Sequence, residues 1–472
     1  MRGGKMPDAE KYEILIIGSG EAGKYLAWTM GKEGHRTAMI ERKYLGGACP
    51  NVACLPSKSL IYSARVASLA RRGAEFGLEF NSLAINMPAV QRRKRRMVEE
   101  LHQMHLANEA ASGGELIMGE ARFIAPLTVE VALNHGGTRT IAGDRVFLDL
   151  GSRATMPDVP GLAAAQPMTH VEALDLERAP AHLLVVGGGY VGLELSQAMR
   201  RFGSRVTVIE HGPQLASLED PDVGAAILDL FLDEGIDVLL DAQISRVEGR
   251  SGDQVRVHVK DAHGDRALEG TDLLVATGRA PNTEGIGLDQ VGVELNEHGY
   301  IKVDDHLQTT AANIWAMGDC AGSPKFTHVS FDDFRVVHSH LTGGSRSTKN
   351  RLIPFCMFTD PELARVGRNE TEARREGLEY RIAKMPMSEV LRTRTVSEPR
   401  GFLKILIAAN SDEILGFTAF GFDASETMVA AQTAMLARAP YTTLRDGIFT
   451  HPTVSEGLIA FLSKVPPRKP GS

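Results

Sequence analysis

The chain has 472 residues, 43% hydrophobic and 24% charged, with 52 Lys and Arg against 59 Asp and Glu, a net charge of −7. At roughly 100–200 residues per domain this length gives two to four domains with ample cores, and the negative balance argues against a nucleic-acid surface as the main business. Four cysteines are too few for a disulfide scaffold, no apolar stretch approaches the ~20 residues that span a bilayer, and residues 1–10 are polar without a signal core, so a cytoplasmic protein with no membrane or nucleic-acid partner is expected.

In chain order, residues 13–17 read as a short apolar strand, followed by the turn Gly18-Ser-Gly20-Glu-Ala-Gly23, a helical stretch and a strand over 37–40 ending at Glu41. Next comes Gly46-Gly-Ala-Cys49-Pro-Asn-Val-Ala-Cys54-Leu-Pro-Ser-Lys58. The basic run Arg92-Arg-Lys-Arg-Arg96 precedes Val98, Leu101 and Met104 at helical spacing. It reads as the solvated face of a helix whose apolar side those three residues supply, the alternative being a localisation or anion-docking patch. Residues 149–161, bearing Pro and Gly, read as a crossover. A second strand over 183–186 then leads into Gly187-Gly-Gly189-Tyr-Val-Gly192, a helix, and a strand over 205–209 ending at Glu210. Residues 276–282 form the return crossover. From about Leu352 the texture changes to strands over 402–407 and 413–419 and helices over 425–437 and 456–462, a separate α+β domain.

The repeat is the strongest signal. From first glycine to terminal acid the offset is 41 − 18 = 23 in one copy and 210 − 187 = 23 in the other. Each copy follows a strand, opens a helix and ends at an acid, the context that makes GxGxxG specific for a dinucleotide. Gly18 and Gly187 permit the tight turn, Gly20 and Gly189 let backbone approach a pyrophosphate, and Gly23 and Gly192 allow close helix–strand packing. The helix N-terminus offers N–H groups to the phosphates, and Glu41 and Glu210 offer carboxylates to ribose hydroxyls. Two dinucleotides on two doubly wound units are expected. A carboxylate at Glu210 favours NADH, with NADPH possible if Arg201 or Arg205 takes the 2′-phosphate.

Cys49 and Cys54 lie five positions apart. In a regular helix that is about 7.5 Å along the axis, beyond the roughly 4.4–6.8 Å between Cα atoms that a disulfide needs. Gly46, Gly47 and Pro50 supply an irregular approach that brings the sulfurs together, and Pro56 suits the first turn of a helix opened by Cys54, where a thiolate is stabilised. The alternatives are two inert cysteines or half of a zinc site, for which the chain offers no second pair at ligand spacing. No metal site is expected. Cys320 and Cys356 read as packing residues.

Together these motifs resemble the class I pyridine nucleotide–disulfide oxidoreductases, which include dihydrolipoamide dehydrogenase, glutathione reductase and mercuric reductase. The likeness runs from about Tyr12 to Leu462. Besides the two glycine turns and GGACPNVACLPSK it rests on ATGRAPN at 276–282, GDC at 318–320, FTDPELARVG at 358–367 and HPTVSE at 451–456. It implies an α/β fold of two doubly wound dinucleotide-binding domains, for FAD and NAD(P), plus a C-terminal α+β dimerisation domain. The boundaries expected are 1–152 and 276–350 for the two parts of the FAD domain, 153–275 for the NAD(P) domain, and 351–472 for dimerisation.

The resemblance also implies roles. Cys54 is the thiolate facing the flavin and Cys49 the interchange thiol. Lys58 lies near the flavin and pairs with Glu194. Asp319 bonds the FAD ribitol, and Gly278 is among the cofactor-binding residues. His451, oriented by Glu456, is the acid–base group given across a homodimer interface. A His suits proton transfer near neutrality, although Thr453-Val-Ser-Glu456 also reads as a capping box, so Glu456 is expected to serve both ends. The acceptor is a small molecule or a soft metal. Dihydrolipoamide dehydrogenase and a metal or quinone reductase are the rival enzymes, and a flavin-bound redox sensor the non-enzymatic alternative. Three departures stand out: the family's ATG is Asp149-Leu-Gly151, the C-terminal cysteine pair of mercuric reductases is missing, and Phe326-Thr-His-Val-Ser-Phe-Asp-Asp333 is unusual. His328, Asp332 and Asp333 there are either acceptor-site or ordinary structural residues.

Overall fold

A computed structural model describes residues 9–79 and 82–468. The polar residues 1–8, part of the stretch read for a signal, and residues 469–472 at the end of the tail lie outside the described residues. Among the described residues, no helix is long and apolar enough to cross a membrane. The chain divides into two units, each gathered from separate stretches.

The first unit takes residues up to Leu60, then Pro88–Thr155 and Gly278–Arg351. Its parallel sheet has the order Ile314–Ala316, Thr138–Leu148, Glu10–Ile17, Thr37–Glu41, Glu115–Ala125. Strands covered on both faces read as unbroken apolar runs, as Ile14 to Ile17 do. Ile14, Ile16 and Phe147 pack with Leu26 and Met30 of the Glu21–Lys32 helix and with Phe334 of the Thr327–Leu341 helix. Leu15, Ile17 and Val146 face the opposite core with Phe123 and Ile286. The outer strands run on and pair antiparallel with Thr128–Leu133. Short strands Ser152–Ala154 and Arg279–Pro281 pair with each other where the two crossovers were expected.

The Met87–Ser112 helix departs from expectation. Arg92, Arg93, Arg95 and Arg96 are solvated, but Met104 is 49% exposed and the buried positions beyond Met87, its first residue, are polar: Gln91, Lys94, His105, Glu109 and Ser112. Glu109 accepts the indole N–H of Trp28 at 2.8 Å, and His105 Nε2 faces Lys24 Nζ at 3.4 Å. The helix is thus held by polar partners, which an apolar stripe does not reveal.

The second unit takes Ile61–Met87, Met156–Thr277 and residues from Leu352 on. Residues 61–87, inside the first domain by the sequence boundaries, cluster here instead. A parallel sheet ordered Asp272–Val275, His182–Val186, Arg205–Ile209, Asp237–Leu239 carries the second glycine turn. A five-stranded antiparallel sheet contains Phe402–Ala408 and Ile414–Gly421, with the helices Ala424–Leu436 and Gly457–Leu462 contributing to its core.

One buried ion cluster joins stretches of this unit. Lys404, 2% exposed, places Nζ 2.7 Å from Asp220, 2.8 Å from Asp222 and 3.2 Å from Glu370. The three carboxylates are close enough to ligate a cation, and the ammonium is that cation.

Candidate redox site and dinucleotide turns

Cys49 sits in the single helical turn Ala48–Val52; Ala53, at φ −136° and ψ −103°, breaks it, and Cys54 opens the helix Cys54–Arg71. This break replaces the fixed rise of a regular helix and lets the two thiols hydrogen-bond. No disulfide joins them. The bond to Cys54 and, next, burial push the Cys49 thiol up, while a hydrogen bond with Thr327 opposes them. The two thiols titrate as a pair, and Cys54, at the helix start, stands where a thiolate is favoured.

Gly47, at φ +75°, lies so close to the first glycine turn that a Cβ on it would stand 2.6 Å from the Gly20 Cα. The cysteine loop thus rests directly on that turn. Glu41 closes the turn from below. Its Oε2 accepts from Ser19 N and Oγ at 3.0 and 2.7 Å, and its Oε1 from Lys43 N and Tyr44 N at 2.7 and 3.1 Å. All four lone-pair positions are engaged. A ribose hydroxyl reaches Glu41 only by displacing one of these donors, of which the Ser19 hydroxyl can rotate.

In the second turn no atom lies within 4 Å of where a Cβ on Gly189 would stand, leaving that backbone open. Gly187, at φ +107°, packs on Ala276 O and Gly192 on Gly187 O. Glu210 accepts from Gly188 N through Oε2 at 2.6 Å and from Gly212 N through Oε1 at 2.7 Å. The arginines expected as possible phosphate ligands are committed elsewhere. Arg201 bonds Glu234 at 2.7 Å and Asp360 at 2.5 Å, and Arg205 bonds Asp237 at 3.0 Å. A 2′-phosphate would meet Glu210 without a counter-charge from either. The expected preference, kcat/KM for NADH over NADPH, is ~100-fold, the ratio given by about 3 kcal/mol of repulsion; a steady-state comparison measures it, and an equal or reversed ratio refutes the reading.

In the second unit, Glu194 is 6% exposed and accepts the Phe358 N–H at 2.8 Å. His451 is 62% exposed, with Nδ1 2.8 and 2.9 Å from the two Glu456 oxygens. The capping box forms only by half. Thr453 Oγ1 accepts the Glu456 N–H at 3.0 Å, but the Glu456 carboxylate turns to His451 rather than back to the Thr453 N–H. The helix starts later, at Gly457 with Glu456 as its N-cap.

The family model for pyridine nucleotide-disulphide oxidoreductase matches residues 12–333, and the model for that family's dimerisation domain matches 353–460. The chain belongs to this family. The oxidoreductase is 35% identical to the probable pyridine nucleotide-disulfide oxidoreductase RclA of Escherichia coli over 96% of this chain and 99% of that protein. It is also 35% identical to mercuric reductase of Acidithiobacillus ferrooxidans over 96% and 82% of the two chains. Among solved structures, the Cu(II) complex of HOCl-induced flavoprotein disulfide reductase RclA matches with TM-score 0.88 at 34% identity, covering 96% of this chain and 99% of that one. LpdA of Mycobacterium tuberculosis matches with TM-score 0.86 at 25% identity, covering 96% and 99%. This oxidoreductase is thus an enzyme of the flavoprotein disulfide reductase class, with FAD and NAD(P)H as cofactors. The open backbone at Gly189 fits a dinucleotide phosphate.

The other residues singled out in the oxidoreductase have these surroundings. Asp319, on the short turn Gly318–Ala321, accepts the Ser152 hydroxyl and lies 3.8 Å from Arg279 Nε. Gly278, at φ +129°, bonds its carbonyl to Thr155 N at 3.0 Å. Lys58 lies one helical turn beyond Cys54. Asp332 and Asp333 are structural: Asp332 pairs with Arg346 and Arg351, while Asp333 accepts Gly318 N at 2.8 Å and pairs with Arg351 at 2.6 Å. His328 is exposed and stacks on Phe326 with centroids 5.3 Å apart. Cys320 is fully buried, its thiol pushed up to about 12 mainly by burial.

Sequence reasoning missed Thr327. It is the first residue of its helix, and its Oγ1 is 3.4 Å from Cys54 Sγ. Its segment stands out in the sequence for its charged members, and nothing local marks the hydroxyl that reaches the sulfurs. Thr327→Val removes that donor, worth about 1 kcal/mol, so the first ionisation of the dithiol moves up by ~0.7 pH unit. Thiolate absorbance followed against pH measures this, and an unmoved curve refutes the contact.

Proposed function

We propose that Cys49 and Cys54 are the working thiols of an NADH-dependent disulfide reductase. The observation that carries this is the hydrogen-bonded thiol pair at the start of the redox helix, within reach of Thr327 and seated on the first glycine turn. FAD, when bound, supplies the two-electron relay between nicotinamide and the sulfurs. The first turn, with Glu41, Asp319 and Gly278, holds FAD, and the second, with Glu210, holds NADH. Cys49 attacks an external disulfide, giving a mixed disulfide and releasing one thiol. Cys54 then displaces the second thiol and closes the Cys49–Cys54 bond. Each thiol released takes one proton.

The proton donor and acceptor is the partner's His451, which requires a homodimer built through the C-terminal domain. Supporting this are the dimerisation-domain match, Ile448 standing fully exposed three residues before His451, and Leu436 at 66% exposure. His451→Ala lowers kcat by ~100-fold, the low end for general acid–base catalysis. Glu456→Gln keeps much of the rate, because the amide oxygen can still accept from the ring and hold its orientation. A full-rate His451→Ala enzyme refutes the role.

A second reading has the dithiol reducing a metal ion, and its support is that RclA, aligned over nearly this whole chain, was solved with Cu(II). One experiment separates the two: NADH consumption with lipoamide, glutathione disulfide, a quinone, Cu(II) and Hg(II) in turn. Turnover with a disulfide establishes the first reading, turnover with Cu(II) alone the second. No turnover with any acceptor sinks both and leaves the redox sensor.

A further inference from the structure

Asp149 stands where the sequence departs from the family's ATG, directly after the Thr138–Leu148 strand, and it is 6% exposed. Its Oδ2 accepts the Gly23 N–H at 2.7 Å. A Cβ on Gly18 would stand 2.1 Å from Asp149 O, and one on Gly20 2.6 Å from Oδ2. The room that the second glycine leaves is therefore taken by this carboxyl, which forms the floor of the turn. In the second turn, by contrast, the space beside Gly189 is open.

The ionisable groups facing Asp149 are mostly acidic. Glu21 opens the Glu21–Lys32 helix and is paired with Lys24 at 2.7 Å. Asp319 comes from the Gly318–Ala321 turn, with Arg279 at 3.8 Å, and Asp333 from the Thr327–Leu341 helix, with Arg351 at 2.6 Å. The Cys320 thiol also senses its charge. Burial first, then these three acids, push the carboxyl up to about 7 against the Gly23 N–H, which favours the anion. A dinucleotide pyrophosphate held by the same turn adds negative charge beside a carboxyl with little water to screen it.

We propose that Asp149 is a proton-coupled cofactor-binding residue: FAD binds the form in which this carboxyl is protonated, so one proton is taken from solution with the cofactor and given back on its release. The proposal rests on the placement of FAD at the first glycine turn. No electrons move in the step; only the O–H bond of Asp149 forms.

The test is titration of the full-length protein, stripped of flavin, with FAD from about pH 6 to 9, followed by flavin fluorescence and by calorimetry in buffers of different ionisation heat. The expected result is uptake of about one proton and a Kd that rises roughly tenfold per pH unit above neutrality, the slope for one linked proton. In Asp149→Asn the uptake vanishes and the Kd is flat. Asp149→Ala, which removes the group outright, serves if the amide variant does not fold. Wild-type binding without proton uptake, or a slope retained in either variant, overturns this inference alone. No binding of FAD at any pH overturns it together with the flavoprotein assignment of the first turn.

Discussion

In Cys54→Ser the long-wavelength absorption that a thiolate gives beside an oxidised flavin disappears, and turnover with the acceptor falls by ~10³-fold or more. Cys49→Ser loses turnover to a similar extent but keeps the band. The difference follows from the asymmetry of the pair. On the proposed assignment the charge that can face a flavin resides on Cys54, which opens the Cys54–Arg71 helix where a thiolate is favoured, while the bond to Cys54 and burial raise the Cys49 thiol. A serine at 49 still donates a hydrogen bond to that sulfur. A serine at 54 cannot ionise at working pH, so the band has no source. Anaerobic titration with NADH, recorded spectrally for the wild type and both variants, measures this. A band surviving in Cys54→Ser would reverse the two assignments, and turnover surviving in both variants would remove the dithiol from the reaction.

Lys404→Met destabilises the second unit by about 3–5 kcal/mol at neutral pH, the cost of removing one member of a buried charge cluster. The thermal midpoint then falls by roughly 10 °C. The ammonium is 2% exposed and is shared by Asp220, Asp222 and Glu370. Burial pushes the Asp220 and Asp222 carboxyls up, but the bonds to Lys404, with Thr371 and Glu370 N–H groups on Asp220 and Lys384 on Asp222, outweigh it and hold both below the usual range. Groups depressed in this way stabilise the fold above their unfolded pKa of about 3.9 and cease to do so as pH falls through the lower folded value. The gap between variant and wild type is therefore full at pH 7 and narrows on acidification, as the orphaned carboxylates protonate. Thermal denaturation at about pH 7 and about pH 4 tests both the size and the direction. A gap unchanged by pH would show that lost packing, not charge, sets the cost.

What could be read ahead of the structure was what neighbouring residues decide among themselves. The two glycine turns need only a strand, a bend and a helix start within 23 residues of their acids. The dithiol needs a helix break; Gly46, Gly47 and Pro50 point to an irregular approach, but Pro50 lies inside the Ala48–Val52 turn and the break falls at Ala53, which none of them marks, while the C-terminal strands declare themselves by composition. What escaped came from residues distant in the chain. Thr327 meets a sulfur 273 positions away, and Asp149 meets Gly23 across 126. The polar buried side of the Met87–Ser112 helix depends on Trp28 and Lys24, so its own periodicity pointed to Met104 instead. Glu456 was ambiguous because its backbone obeys the capping pattern while its carboxylate answers to His451.

The first unit is stitched from three stretches of chain, and this sets an order of events during synthesis. By the time Val275 has left the ribosome, both glycine turns and both cysteines exist. The Thr138–Leu148 strand still lacks the neighbour Ile314–Ala316 that covers its outer edge, and neither Asp319 nor Asp333 has been made. An uncovered edge invites wrong partners. The nucleotide-binding insert is thus translated while the sheet that precedes it waits half-closed, and with Asp319 in the proposed cofactor site the yellow cofactor is expected to be acquired only in the last third of translation. Shortened products ending before Ile314 are expected to be colourless and prone to clump rather than to be small working versions of the enzyme.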